Sequence, residues 1–169
     1  RSLEVYAGII GTCWTGAAYV PLNPAHPTSR LANMISQARL DALIVDATGQ
    51  EILTGELLDV CPDSILAPES DNDRLHGHDV VDKCTPAGPP VMMPLDKLAY
   101  IIFTSGTTGQ PKGVMVTLGN IRHFLQAVQE RYQISANDRV SQHIEITFDP
   151  SIMCMFMAWG AGASLHVVP

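Results

Sequence analysis

Strand-like and helix-like segments alternate along this chain, which predicts an α/β fold: a mostly parallel sheet with flanking helices. Two further observations shape that prediction. The apolar run Leu98–Phe103 enters a loop of glycines and small hydroxyl residues, and a second apolar run leaves it after Lys112. Residues 149–160 are apolar almost all round, which predicts a buried helix.

The elements follow in order. Residues 3–15 place Leu3, Tyr6, Ile10, Cys13 and Trp14 at helical spacing, with Gly16 as terminator. Ala17–Leu22 reads as a strand, stopped by Pro21 and Pro24. Pro27 and Thr28 open a second helix that turns Leu31, Met34, Ile35 and Ala38 inward. Asp41–Asp46 is a strand, residues 49–59 a short helix, and Ser64–Ala67 a further strand. Residues 68–94 carry five prolines among Asp, Asn, His and Gly and read as a long surface connection. After the central loop come a helix over 119–132, with Ile121, Phe124, Leu125 and Val128 inward, and a strand over Asp138–Ile146. The buried helix and a last strand, Ala163–Val168, end the pattern. No repeat or low-complexity segment interrupts it, so the 169 residues read as one domain.

Composition excludes several classes. Hydrophobic residues make up 46% and charged residues 16%, which is globular rather than disordered. A net charge of −7 argues against a nucleic-acid surface or an anionic membrane as partner. The longest apolar run, Ile152–Trp159, is too short to span a bilayer. Arg1-Ser2 leads straight into a helical pattern with no signal peptide. Cys13, Cys61, Cys84 and Cys154 lack zinc or redox spacing, so a reducing cytoplasm is expected. Cys13 and Cys154 fall in apolar helices as small core residues. His76 and His78 read as loop histidines rather than a metal site, and no metal ligands are assigned.

The central loop carries the chemistry. Thr104, Ser105, Thr107 and Thr108 supply hydroxyls; Gly106 and Gly109 let the backbone approach a ligand. Successive N–H groups in such a turn form an anion-binding concavity. Pro111 restricts the exit, and Lys112 adds a positive charge. These features suit a polyphosphate. The P-loop of kinases and GTPases does not fit, because Gly113 follows Lys112 where that loop needs a Ser or Thr on magnesium. A Gly/Thr-rich hairpin without ligand is the plain alternative.

Thr104-Ser-Gly-Thr-Thr-Gly-Gln-Pro-Lys-Gly113 resembles the phosphate-binding signature of the adenylate-forming family: acyl-CoA synthetases, luciferases, D-alanine ligases and the adenylation domains of nonribosomal peptide synthetases. Gly16-Ala-Ala-Tyr-Val-Pro-Leu-Asn-Pro24 resembles an early motif of amino-acid adenylation domains, and Phe148-Asp-Pro-Ser151 resembles their Phe-Asp-x-Ser motif. The resemblance implies the partial large N-terminal domain of such an enzyme. It implies ATP with Mg as nucleotide, bound through Thr104, Ser105, Gly106, Thr107, Thr108, Gly109 and Lys112. A carboxylate substrate, an amino acid above all, would be adenylated and passed to the phosphopantetheine of a carrier protein domain.

Asp149 has two readings. From the residues alone, Asp followed by Pro150 is a helix-start signature, a cap. By resemblance it binds the substrate's α-ammonium group, with Phe148, Pro150 and Met153 around the substrate. Met153 reads equally as a core methionine. Phe148 stands where acyl-CoA synthetases and luciferases often carry histidine, which favours the amino-acid branch. Leu118 stands where the family usually has a histidine, a departure that either only changes packing or marks a divergent subgroup, such as a freestanding amino-acid ligase for a carrier protein.

The family's Tyr-Gly-Pro-Thr-Glu motif, its ribose-binding aspartate and its C-terminal domain with a catalytic lysine do not occur in these 169 residues. The expectation is therefore an incomplete domain, cut at both ends, without a catalytic residue of its own and inactive alone. Its cut edges and apolar faces would favour self-association. An acyl- or aryl-CoA synthetase and a non-catalytic nucleotide-binding module are the alternative functions.

Overall fold

The computed structural model describes residues 2–68, 70, 88–105 and 110–168. The first helix, α1 (Leu3–Trp14), is capped by the Ser2 hydroxyl, which accepts from the Val5 N–H at 3.4 Å. Gly16 follows it with φ +77, where a β-carbon would lie 2.8 Å from the Met93 side chain. Tyr6 and Ile9 are the buried residues of α1, while Leu3, Ile10 and Trp14, expected to face inward, are exposed. The helix is apolar on nearly every side, so spacing alone does not select the face that packs.

Residues 17–22 form no strand. Only Tyr19 pairs, parallel to Tyr100: its N–H donates to the Ala99 carbonyl at 3.2 Å, and its carbonyl accepts from the Ile101 N–H at 3.0 Å. Pro21 has no N–H with which to extend the ladder. Helix α2 (Thr28–Ala38) buries Leu31, Met34 and Ile35. Strand β1 (Ala42–Ile44) pairs in parallel with β2 (Ser64–Leu66), Leu43 opposite Ile65. The expected helix between them is two short ones, α3 (Ala47–Ile52) and α4 (Gly55–Asp59), separated at Leu53-Thr54 where Gly55 takes φ +51. Leu57 of α4 packs with Leu31 and Ile35.

Strand β3 (Leu98–Ser105) pairs antiparallel with β4 (Pro111–Thr117), the one antiparallel pairing among the described strands. Helix α5 (Leu118–Tyr132) starts in a capping box: Thr117 accepts from the Asn120 N–H, and Asn120 reaches back to the Thr117 N–H. No described side chain of α5 is fully buried, and Phe124, expected inward, is 44% exposed. Strand β5 (Arg139–Gln142) pairs in parallel with β6 (Ser164–Val167), and α6 (Pro150–Gly160) crosses between them. The expected strand 138–146 ends at Gln142 because the chain then turns toward α6. Helix α6 is buried as expected: Ser151, Ile152, Cys154, Met155, Met157 and Ala158 are all inaccessible or nearly so. Its Ile152 and Met155 meet Tyr6, Tyr19, Tyr100 and Ile102 in the main core. Parallel pairings joined by helices around an antiparallel hairpin bear out the α/β expectation.

Candidate functional site

Three stretches far apart in sequence meet around β3. In the ladder, Thr104 lies opposite Lys112, Ile102 opposite Val114 and Tyr100 opposite Val116. Residues directly opposite share a face, and side chains two apart along a strand do too. Thr104, Lys112 and Tyr100 therefore belong to one face of the hairpin. The Thr104 hydroxyl donates to the Lys112 carbonyl at 3.4 Å. Lys112 is exposed, whereas Pro111 before it is buried. Gly113 sits close against β3: a β-carbon there would lie 3.0 Å from Ile101 Cγ2 and 3.3 Å from Phe103 Cζ, so those side chains would have to shift slightly. Ser105 pairs with Pro111 at the hairpin's end. Gly106, Thr107, Thr108 and Gly109, the loop tip singled out by sequence, lie outside the described residues, as do His76, His78 and Cys84. Gln110 accepts from Asn33 Nδ2, and Asn33 accepts from Gln37, so two side chains of α2 brace the start of β4.

Asp149 does not cap α6. Its backbone is already helical, φ −51 and ψ −41, and its side chain makes no cap hydrogen bond. Instead its Oδ1 accepts from the Tyr100 hydroxyl at 2.9 Å. Tyr100 is 5% exposed, and burial followed by the Asp149 hydrogen bond and charge raises its phenol above the usual range. Tyr19, 7% exposed, packs against Tyr100 with ring centroids 5.7 Å apart. Burial raises its phenol too, with smaller contributions from Cys13, Tyr100 and Asp149. The Ser151 hydroxyl donates to the Phe148 carbonyl at 2.6 Å and lies 3.2 Å from that of Ile146, which shapes the turn that delivers Asp149. Asn23, from the early motif, donates to Glu145 at 3.3 Å and ties that segment to the same turn.

Phe148, Asp149 and Pro150 are exposed at the start of α6. Met153 is half-buried one turn further on and lines an apolar recess of about 100 Å³ with Val128, Tyr132, Ile134, Val140 and Met157. Tyr100, Tyr19 and Ser151 were not singled out as site residues by sequence. Their partners lie on other elements or in the turn itself, and no spacing rule reveals a tyrosine that reaches an aspartate 49 positions away.

The AMP-binding enzyme family model matches residues 1–169. The chain belongs to that family. Among AMP-binding relatives, a dimodular nonribosomal peptide synthase of Bacillus subtilis (strain 168) is 33% identical over 167 residues, covering 99% of this chain and 7% of the relative. A linear gramicidin synthase of Brevibacillus parabrevis is 36% identical over 167 residues, covering 99% and 3%. The chain therefore spans a small part of these relatives. The crystal structure of IdnL7 superposes with TM-score 0.85 at 32% identity, over 100% of this chain and 34% of that one. A Vibrio cholerae adenylation domain, AlmE, in complex with glycyl-adenosine-5'-phosphate, superposes with TM-score 0.83 at 28% identity, again over 100% and 34%. The fold is thus that of about a third of an adenylate-forming enzyme, and the resemblance to the peptide-synthetase branch holds. Among the described residues no helix is long and apolar enough to cross a membrane.

Proposed function

We propose that this chain is part of a domain that activates an amino acid: carboxylate and ATP give aminoacyl-AMP and pyrophosphate, and a carrier's phosphopantetheine thiol then takes the aminoacyl group as a thioester, breaking the acyl–phosphate bond and releasing AMP. The observation that carries this reading is the hydrogen bond from Tyr100 to Asp149. It attaches a carboxylate, the natural counter-charge for a substrate ammonium, to the strand that also presents Thr104 and, across the ladder, Lys112. Tyr100 and Thr104 are about 13 Å apart along β3 at the usual strand rise. Amine recognition, tied to β3 through Tyr100, and phosphate recognition at Thr104 and Lys112 then share one hairpin as their frame, which supplies the proximity that the reaction needs.

In this reading Thr104, Ser105 and the loop residues Gly106, Thr107, Thr108 and Gly109 cradle the phosphates, and Lys112 takes up charge that develops on the leaving pyrophosphate. Magnesium comes bound to the phosphates. Asp149 and Met153 are one helical turn apart, so a substrate held at Asp149 extends past Phe148 and Pro150 along the Met153 side of α6. The setting is cytoplasmic, where ATP and carrier proteins are available. The 169 residues alone do not complete the reaction, because motifs for adenine, ribose and the catalytic lysine do not occur within them. ATP–pyrophosphate exchange by the protein that carries this chain tests the reading. Exchange stimulated by one or a few amino acids, followed by a mass increase on carrier phosphopantetheine, is expected. Loading of free CoA in place of the carrier would contradict it.

A further inference from the structure

The Asp149 carboxylate is exposed at the head of a helix, where a side chain ordinarily turns back to cap the first N–H groups. Here it does not. We infer that Tyr100 is a positioning residue that holds Asp149 away from the helix end, so that one carboxylate oxygen stays free for the substrate's ammonium. This inference rests on the amino-acid reading above and adds a residue and a cause to it.

The geometry has three parts. The Tyr100 hydroxyl takes Oδ1 at 2.9 Å, and the described groups give Oδ2 no hydrogen bond. Tyr100 cannot swing away. It is 5% exposed, its strand is bridged by Tyr19 on one side and β4 on the other, and Tyr19 lies against its ring. Tyr19 in turn stacks with Phe156 of α6, centroids 6.5 Å apart. The helix that starts beside Asp149 is thus tied to β3 twice, once by the tyrosine hydroxyl and once, about two turns later, through the aromatic stack. The phenol stays protonated because burial and the carboxylate both raise it, so it remains a donor and cannot compete with Asp149 as an anion. A carboxylate that accepts one hydrogen bond from a fixed phenol loses rotational freedom, which preorganises it for selective recognition of an ammonium.

The test is Tyr100→Phe in the protein that carries this chain, read by pyrophosphate exchange beside Asp149→Ala. The substitution removes one oxygen and keeps the ring. The KM for the preferred amino acid is expected to rise on the order of tenfold. The KM for ATP, the exchange with the des-amino analogue and the melting temperature are expected to stay near their wild-type values. If Asp149→Ala weakens amino-acid use and Tyr100→Phe leaves it within twofold, the positioning role is overturned while the ammonium reading stands. If Asp149→Ala itself has no effect, the ammonium reading fails, and this inference fails with it. Equal losses for ATP and the des-amino analogue in Tyr100→Phe would make Tyr100 a general structural residue and also overturn the inference.

Discussion

Replacing Lys112 with alanine separates phosphate chemistry from folding. Lys112 is exposed on β4, and its aliphatic stem belongs to none of the core clusters. Its backbone pairing with Thr104 needs no side chain. Surface substitutions of this kind usually change stability by less than about 0.5 kcal/mol. The electrostatic effect is larger. An ammonium about 4 Å from a phosphate oxygen interacts by about 1 kcal/mol in water and about 4 kcal/mol at the effective dielectric of a protein surface. An exposed ammonium at the start of β4 lies between these limits. A loss of about 2 to 3 kcal/mol, or about 30- to 160-fold in kcat/KM for ATP, is therefore expected. The assay is pyrophosphate exchange at saturating amino acid, with ATP varied, alongside a thermal melt. An unchanged melt with a loss of that size supports the assignment. Exchange within twofold of wild type would refute it, and so would a rise in the amino-acid KM as large as that for ATP.

Other consequences concern the scaffold. Met155 of α6 is fully buried in the core it shares with α1 and β3, so Met155→Ala should destabilise the domain by about 2 to 5 kcal/mol, seen as an earlier urea midpoint. Thr117→Ala removes one half of the capping box of α5 and should cost about 1 kcal/mol by the same measurement, with little effect on exchange. His26 has its imidazole pKa lowered by burial first and by Arg30 second, with Glu145 opposing. The unfolded chain then binds a proton near pH 6.5 that the folded chain does not, so this contribution is complete above about 6.5 and is lost as pH falls below it. Melts at pH 8 and 5.5 should differ more for wild type than for His26→Gln; equal differences would rule His26 out as the source.

Much of the architecture was readable because period and punctuation agree. Leu31, Met34 and Ile35 mark one face of α2, and the unbroken apolarity of 152–159 marks a buried helix. Where a segment is apolar all round, as α1 is, spacing could not tell Ile9 from Ile10, and packing decided. Where prolines punctuate, as at Pro21, apolar residues alone overstated the strand. The helix expected over 49–59 breaks because Leu53 and Thr54 leave helical geometry and Gly55 takes a positive φ. For the site, Thr104 and Lys112 were singled out from the residue types of the loop, and Asp149 from its resemblance to a family motif. Its environment was not: Asp-Pro spacing favoured a cap, and a buried tyrosine on another element decided otherwise.

The central claim is that Asp149 reads an amino group. The most direct measurement compares pyrophosphate exchange for an amino acid and its des-amino analogue, in wild type and in Asp149→Ala. The account predicts a wild-type preference for the amino acid that collapses in the variant, through loss of amino-acid exchange rather than gain of the analogue. A preference that survives the substitution intact would contradict it.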